Sequence, residues 1–420
     1  MATVTISVSD SMASGEERQD LRAALRRSER RRGLLAAALL MPLAIFMLAC
    51  FFAPIAVLLA RAFTDREVPD AWPVTAAALR ERQSSGLPDR EIVTKFVEEL
   101  AASRRNGTLL PAANRLNHAL PGSRTLLVRT AEALPATSSD APIDVLANID
   151  ARWLAPQTWA VIRQAAGPLT SFYVLAAVDL HLDAGDRVHA SPAGQRVFIS
   201  VFLRTFWISA VVAALCAVLG YPLAYLLSSL PERIAHPLLV LVLLPFWTSV
   251  LVRTTAWMVL LQDQGLMNGM LRDLGLLSEP LQLIYNRAGV YIALTHVLLP
   301  YFVLPLYAVM KRISPVTTRA ALSLGATPAQ AFWRVYFAQT LPGAAAGALT
   351  VFVLALGYYI TPALVGGAGD QMISYFIAFF TNQTLNWGMA AALSMLLLVT
   401  TSLLLVFCSR LSGRRELALR

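Results

Sequence analysis

Six apolar windows, each long enough to cross a bilayer, constrain this chain more than any other feature. A spanning helix needs about 20 predominantly apolar residues. The 420 residues are 56% hydrophobic and 15% charged, with a mean hydropathy of +0.57, which is too apolar for a soluble globule. We therefore predict an all-α membrane protein with six transmembrane helices. The windows are Leu34–Ala62, Phe198–Leu227, Pro237–Leu261, Val290–Met310, Ala344–Val365 and Met389–Phe407.

The distribution of arginine and lysine predicts the orientation, because short cytoplasmic loops are enriched in both. This rule places both termini in the cytoplasm. The charges that carry the prediction are Arg26, Arg27, Arg30, Arg31, Arg32, Arg233, Lys311, Arg334, Arg410, Arg414 and Arg415. The predicted parts are a cytoplasmic tail 1–33, a first span 34–62, a periplasmic insertion 63–197, a five-helix core 198–409 with a cytoplasmic loop 311–341, and a cytoplasmic tail 410–420.

The first apolar window could instead be a signal peptide, because "MLAC" at Met47–Cys50 resembles a lipoprotein cleavage box. The apolar run continues through "FFAPIAVLLA" after Cys50, which makes it too long for the apolar region of a signal peptide. We predict a retained first span.

Several function classes are disfavoured. The net charge of +9 falls in short runs beside apolar segments, so we expect no nucleic-acid partner. The three cysteines, Cys50, Cys216 and Cys408, all lie in apolar runs and offer no disulfide framework or metal site. The only lysines, Lys95 and Lys311, do not follow a glycine, so there is no phosphate-binding loop. We expect no catalytic site and no cofactor in this chain.

The insertion 63–197 carries two amphipathic patterns, which predict helices over Arg90–Ser103 and Ala155–Gly167. The stretch "LTSFYVLAAVDLHLDAG" is too short to cross a bilayer and fits a helix or a strand. The sequence leaves open whether these pieces form a folded domain, because "RQSSGLP" and "TSSDAP" are also typical of linkers.

The polar passage "RAALSLGATPAQAFWRVYFAQTLPG", from Arg319 to Gly343, lies between two apolar segments. Ser314 or Thr317 can cap a short helix, and Gly325 is suited to a left-handed stop after it. Thr327, Pro328 and Gln330 form a capping-box pattern, so a second helix should follow at once. We predict a helix, a glycine hinge and a second helix.

This passage resembles the signature loop of permease subunits of binding-protein-dependent ABC importers. Arg319-Ala320-Ala321 and Gly325 match its Glu-Ala-Ala and Gly positions, with Arg319 where the family usually has Glu and Ala338 where its first Pro falls. The resemblance implies a coupling helix that docks on an ATPase, through Arg319, Ala320, Ala321, Gly325 and Ala326. Arg319 then predicts a compensating acidic residue on that ATPase.

Five further stretches resemble the polyamine-type branch of the family, in the family's order. They are "GYPLAYLLSSLP", "LLPFWTSVLVRTTAWMVLLQDQGLMNGMLRDLGLL", "LLPYFVLPLYAVMKRISP", "LGYYITPALVGG" and "NWGMAAALSMLLL". The match covers about half of the chain, from Phe198 to Phe407. The insertion is longer than the family usually carries there.

The resemblance implies a bacterial inner-membrane subunit that forms the solute pathway and couples it to a separate ATPase subunit. Its implied partners are an ATPase dimer, which would hold ATP and Mg, a second permease subunit that is a homologous hetero-partner, a periplasmic solute-binding protein, and membrane lipid. The implied cargo is spermidine or putrescine, with amino-acid derivatives or opine-like solutes as the alternative. A secondary transporter and a membrane-anchored sensor are rivals from other classes.

Polar residues within apolar segments are the pathway candidates. We assign Tyr358, Tyr359, Arg253 and Trp247 to this set. Relatives often have an acidic residue at the first tyrosine position, whereas tyrosines offer hydroxyls and ring faces to a cation. Each candidate also has an ordinary interpretation: the tyrosines as interfacial or packing side chains, and Arg253, like Arg204, reaching to the membrane interface. A buried structural role is favoured for His296.

Overall fold

The computed structural model describes residues 38–82, 86–134, 141–276 and 278–417. The chain divides into a first unit, residues 1–58, and a second unit, residues 59–420. The described part of the first unit belongs to helix α1, Ala38–Ala60, which has a mean hydropathy of 2.7 and a π-helical turn at Leu48–Phe52. The predicted N-terminal tail, with its arginines, lies outside the described residues.

The insertion between α1 and the next long helix is mostly helical. A two-stranded antiparallel hairpin, with His181 opposite His189, follows its last α-helix. The elements are α2 Glu67–Ala71, α3 Pro73–Glu81, α4 Arg90–Asn106, α5 Leu109–Ala119, α6 Ser123–Ala133, α7 Pro142–Ile149, α8 Pro156–Gln164, α9 Phe172–Ala177, β1 Leu180–Leu182 and β2 Val188–Ala190, with 3₁₀ turns at Ala151–Leu154 and Ala193–Gln195.

The insertion has its own hydrophobic core, built on four aromatic side chains that are at most 2% exposed: Trp72, Phe96, Trp153 and Trp159. Phe96 lies 5.2–5.3 Å from each of the three indole rings. Each buried indole N–H has an acceptor: Ser103 Oγ, Thr130 Oγ1 and the Trp153 carbonyl. The insertion is therefore a packed helical unit, which the sequence left open.

The two helices predicted in the insertion are both present, as α4 and α8. The ambiguous stretch after Gly167 contains both alternatives, because α9 is followed directly by strand β1. The change from helix to strand occurs at Val178 and Asp179, and Asp179 has a left-handed φ of 56°.

The remaining helices form the apolar core. With α1 included, five helices of the described chain are long and apolar enough to cross a membrane. A bent pair of helices raises the number to six if it is counted as one span. The elements are α10 Phe198–Ser229, α11 Glu232–Leu243, α12 Val250–Leu261, α13 Leu266–Asp273, α14 Arg287–Met310, α15 Pro315–Ser323, α16 Pro328–Gly357, α17 Ile360–Val365, α18 Ile373–Asn382 and α19 Trp387–Leu417, with 3₁₀ turns at Leu244–Trp247 and Ala368–Asp370. The predicted all-α membrane class is confirmed, since the described chain is mostly helical and the hairpin β1–β2 is a small exception.

Helices α10, α14 and α16 pack together around Phe302, which is 1% exposed. Glycines lie on both sides of this ring. A Cβ at Gly220 would come within 2.5 Å of a Phe302 ring carbon, and one at Gly347 within 2.8 Å of its carbonyl oxygen. Small residues at these positions allow the close helix approach that is typical of membrane bundles.

Two predicted spans differ from the structure. The window Pro237–Leu261 is not one helix, because the segments Glu232–Trp247 and Val250–Asp273 are bent by 98°. Pro245 lacks a backbone N–H there, Thr248 has an extended conformation, and Ser249 is also non-helical, with ψ 143°. The window Ala344–Val365 is also wrong: the helix begins at Pro328, ends at Gly357, and a separate short helix follows.

A mixed core joins the insertion to the apolar helices. Tyr173 of α9 packs so closely on α19 that a Cβ at Gly388 would come within 2.4 Å of its ring. The buried members of this junction core are Ala62, Tyr173, Ala177, Val201, Ile373, Met389, Ala391, Ala392 and Leu393.

Candidate functional site

The passage around Gly325 has the local geometry that the sequence predicts. Ser314 Oγ accepts a hydrogen bond from the Val316 N–H at the start of α15. After α15, Gly325 has a φ of +91°, the Gly325 N–H donates to the Leu322 carbonyl, and the Ala326 N–H donates to the Ala321 carbonyl. These two bonds are the paired closure of a Schellman motif, which needs a left-handed residue where Gly325 lies.

The second helix starts with the predicted capping box. The Gln330 N–H donates to Thr327 Oγ1 over 3.3 Å, and the Thr327 N–H donates to Gln330 Oε1 over 3.1 Å. Pro328 occupies the first helical turn, where its missing N–H costs nothing. This second helix is the start of the long helix α16, which contains a π-helical segment at Ala331–Tyr336. The passage is thus rigidly attached to an apolar span.

The coupling candidates lie on an accessible surface. Arg319, Ala320 and Gly325 are exposed, and Ala321 and Ala326 are half-buried. Large apolar side chains stand beside them: Leu324 is 89% exposed, Val316 65% and Trp333 60%. Exposed apolar groups in this density are typical of a protein interface. We call the set Val316, Arg319, Ala320, Leu324, Gly325 and Trp333 the hinge surface.

Arg319 is the charged group of the hinge surface. It forms no ion pair within the described residues. It lines a cleft of about 480 Å³ together with Lys311, Met310 and Tyr336. Because Lys311 is also cationic, the cleft would attract a negatively charged group.

Three of the pathway candidates lie in the region where α16 is interrupted. Tyr358 and Tyr359 are the two residues between α16 and α17, and the Ser374 hydroxyl donates to the Tyr358 carbonyl over 2.7 Å. Arg253 of α12 interacts electrostatically with Tyr358 and with His296. Its buried Nε has no hydrogen-bond acceptor among the described residues.

His296 is held by an aromatic neighbour. The Trp257 indole N–H donates to His296 Nδ1 over 3.2 Å, and the two rings are 5.4 Å apart. This contact supports the structural role that the sequence favours for His296, but the residue is exposed and not buried as the sequence predicts. Together with Arg253 and Tyr358, these side chains form a polar cluster between apolar helices, which we call the break cluster.

Within the described residues, Trp247 makes no hydrogen bond or ring contact with the break cluster. It ends the 3₁₀ turn at the 98° bend and is 74% exposed. Arg204 is hydrogen-bonded outside the break cluster: its Nη1 donates to the Gln371 carbonyl over 3.2 Å.

Sequence reasoning missed two polar contacts in this part of the chain. Thr254 and Thr361, both at most 1% exposed, are 3.1 Å apart through their hydroxyls and join α12 to α17. Arg287 pairs with Asp370 over 2.8 Å, which joins the start of α14 to the turn after α17. In the sequence, Thr254 directly follows the candidate Arg253, and Thr361 lies two residues after the candidate Tyr359. This proximity is the signal that could have identified the threonine pair.

The comparisons with known proteins bear on the same region. A family model described as "Binding-protein-dependent transport system inner membrane component" matches residues 198–412. The spermidine/putrescine transport system permease protein PotB of Salmonella typhimurium (strain SL1344) is 33% identical over 216 residues, which are 51% of this chain and 75% of that protein. The inner membrane ABC transporter permease protein YdcU of Escherichia coli (strain K12) is 31% identical over 231 residues, covering 51% of this chain and 72% of that protein.

Among solved structures, a bacterial alginate ABC transporter in complex with an alginate pentasaccharide-bound periplasmic protein has a TM-score of 0.43 at 19% identity. The match covers 52% of this chain and 78% of that chain. The family match begins at residue 198 and therefore leaves out the insertion. Because the family model spans half of the sequence and PotB is matched over three quarters of its length, the chain belongs to the family of inner-membrane components of binding-protein-dependent transport systems.

Proposed function

We propose that this permease imports a small polar solute, with spermidine or putrescine as cargo, and couples the pathway to a separate ATPase through the hinge surface. The observation that carries the coupling is the exposed helix–glycine–helix passage that continues directly into α16. The cargo rests on the PotB relatives, whose names give spermidine and putrescine as what they transport.

The hinge surface suits a lever. Ala320 and Gly325 permit close approach by a partner, and Leu324 and Trp333 offer apolar area to it. A displacement of α15 would reach α16 because the Gln339 amide donates to Thr317 Oγ1 across the two helices. We place ATP and Mg on the ATPase dimer and no cofactor in this chain.

The remaining parts of the assembly follow from this proposal. A second permease subunit would complete the pathway, and a periplasmic solute-binding protein would deliver cargo. Both termini would then be cytoplasmic and the insertion periplasmic, with the arrangement of charges as support. Under this orientation the hinge surface faces the cytoplasm, where an ATPase can reach it.

One observation favours a second cargo class. Arg253 lies in the break cluster, and its guanidinium would repel a polycation while attracting a carboxylate. Amino-acid derivatives or opine-like solutes carry such a group. Tyrosine and tryptophan faces, by contrast, suit an ammonium ion, so the two cargo classes call on different members of the same cluster.

Reconstitution tests the proposal. The permease, its second permease subunit, the ATPase and the binding protein would be placed in proteoliposomes, and uptake of radiolabelled spermidine and putrescine would be measured with and without ATP. We expect ATP-dependent uptake that unlabelled polyamine competes away. Competition only by carboxylated solutes would replace the polyamine cargo with the alternative, and uptake driven by an ion gradient without ATP would point to a secondary transporter.

A further inference from the structure

The insertion contains a cavity of about 210 Å³ that the transport function does not use. It lies among α5, α8, α9 and β1, and its lining combines apolar and polar side chains. The lining side chains that matter here are Arg115, Gln164, Phe172, Leu175, His181 and Leu182. The volume is somewhat below the roughly 300–1,000 Å³ of sites for drug-sized ligands, so it suits a smaller molecule.

Arg115 supplies an unused hydrogen-bond donor at this cavity. The residue is 2% exposed, and its Nε donates to the carboxylate of Asp65, which is 3% exposed. Its guanidinium carbon lies 4.1 Å from the centre of the Phe172 ring. Among the described residues, however, the buried Nη1 has no acceptor. A buried donor without an acceptor is unfavourable, and arginine presents its remaining N–H groups well to an oxygen pair.

His181 supplies a second unused nitrogen at the same cavity. Its buried Nδ1 has no hydrogen-bond partner among the described residues. The acidic group of the lining is already engaged, because Asp186 pairs with Arg163 over 2.9 Å and accepts from the Gln164 amide over 3.1 Å. The unsatisfied polar atoms of the lining are therefore nitrogens, one of them cationic.

We propose that this cavity is a binding site for a small organic carboxylate with an apolar body. The carboxylate accepts from Arg115 Nη1 and from His181, and the body packs on Phe172, Leu175 and Leu182. This site is separate from the transport pathway and goes beyond the proposed function. Its occupant would contact α9, the helix whose Tyr173 packs on Gly388 of α19, so the site lies where the insertion meets an apolar helix.

The test uses the full-length permease, in its transporter complex, in lipid nanodiscs. Benzoate and butyrate serve as probes, benzamide and butyramide as their uncharged counterparts, and binding is followed by ligand-observed saturation-transfer NMR. We expect the carboxylates to bind at least tenfold more tightly than the amides. Equal binding of the amides, or no carboxylate binding at millimolar concentration, would overturn the proposal.

Two variants locate the site. Arg115→Lys keeps a cation for Asp65 but removes the forked donor, and we expect benzoate affinity to fall at least tenfold. Ala119→Leu fills the cavity and leaves the ion pair intact, so it should give the same loss even if the arginine variant folds poorly. Ala133→Leu, at an exposed position of α6, is the matched control and should bind as the wild type does. Unchanged binding by Ala119→Leu would place the probe elsewhere and reject the site.

Discussion

The carboxylate of Asp179 caps the first turn of α10, with Oδ2 accepting from the Ile199 N–H over 2.9 Å. Its Oδ1 accepts from the Val197 and Phe198 N–H groups, each over 3.0 Å. A residue of the insertion thus satisfies three free donors at the start of an apolar span. The negative charge also lies at the positive end of the helix dipole.

Replacing this carboxylate should loosen the start of α10. We expect Asp179→Ala to cost about 1–2 kcal/mol of local stability, in the range of a lost helix cap. Amide hydrogen exchange at residues 197–199 should accelerate accordingly. Asp179→Asn keeps a side chain that tolerates the left-handed φ of 56° and retains one acceptor, so it should show a smaller effect. Equal exchange in all three proteins would contradict the capping role.

Gly325→Val should uncouple transport from ATP hydrolysis. A Cβ at Gly325 would meet no atom within 4 Å, so the valine would not clash. The substitution is unfavourable because a β-branched residue rarely adopts the left-handed φ of +91°. We expect uptake to drop severely while the amount of permease in the membrane is unchanged.

The matched control is Gly275→Val, at a glycine with φ +69° and equally free space. It carries a similar backbone strain outside the hinge surface and should leave uptake close to normal. Gly325→Asn, which tolerates the left-handed region, should restore part of the uptake. Normal uptake by Gly325→Val would remove the hinge surface from the proposed mechanism.

Arg319 predicts an acidic residue on the ATPase. Arg319→Glu should weaken recovery of the ATPase with the permease in gentle detergent, because the reversed charge would face that acid. Arg272→Glu, at an exposed position on α13, makes the same charge change elsewhere and should not affect recovery. Loss that is equal in both variants, or absent in the first, argues against a specific charge pair.

Arg253→Gln discriminates between the two cargo classes. For a polyamine, removing the guanidinium from the break cluster should lower the KM of uptake, since a repulsion is lost. For a carboxylate cargo it should raise the KM about tenfold, which corresponds to about 1.4 kcal/mol. Arg204→Gln is the control, because Arg204 donates to the Gln371 carbonyl instead. A raised KM for spermidine would contradict a repulsion between the Arg253 guanidinium and this cargo.

The insertion should lose a measurable stabilising contact in acid. Two side-chain hydrogen bonds from Arg152 lower the pKa of Asp150 from its usual value to about 2. The unfolded carboxyl titrates near 3.9. A folded-state pKa below the unfolded one means that the contribution is present above about pH 4 and is lost as the pH falls towards 2.

The measurement is the difference in unfolding free energy between wild type and Asp150→Asn, followed from pH 6 to pH 2. Because Arg152 is 46% exposed, we expect at most about 1 kcal/mol at pH 6. The difference should shrink as the pH approaches 2. A difference that does not change with pH would show that the ionised carboxylate is not what stabilises the fold.

The features that the sequence predicts are those set by neighbours along the chain. The caps at Ser314, Gly325 and Thr327 involve backbone groups within five residues along the chain. These caps can therefore be predicted from the sequence without knowledge of the tertiary structure. The capping of Ile199 by Asp179 is not, because 20 residues and the hairpin β1–β2 separate them. The Arg115–Asp65 pair spans 50 residues and depends on how α5 packs.

The hydropathy of the six windows predicts apolar helical segments, which the structure has. It does not predict that the helix is broken in two of these windows. Hydropathy reports how apolar a stretch is, and it does not report the direction of the backbone. Pro245 and Ser249 lie in the third window. A proline in an apolar segment does not by itself distinguish a kinked helix from two separate helices. The break at Tyr358 and Tyr359 depends on tertiary contacts such as the bond from Ser374, which local pattern does not contain.

The contact of Tyr173 with Gly388 makes the insertion a poor candidate for excision or transplantation. A shortened chain would leave the start of α19 without the ring that covers it, and Ala62 and Val201 would lose their common neighbours. A graft of the insertion onto another permease would need a glycine at the matching position of the recipient's last helix.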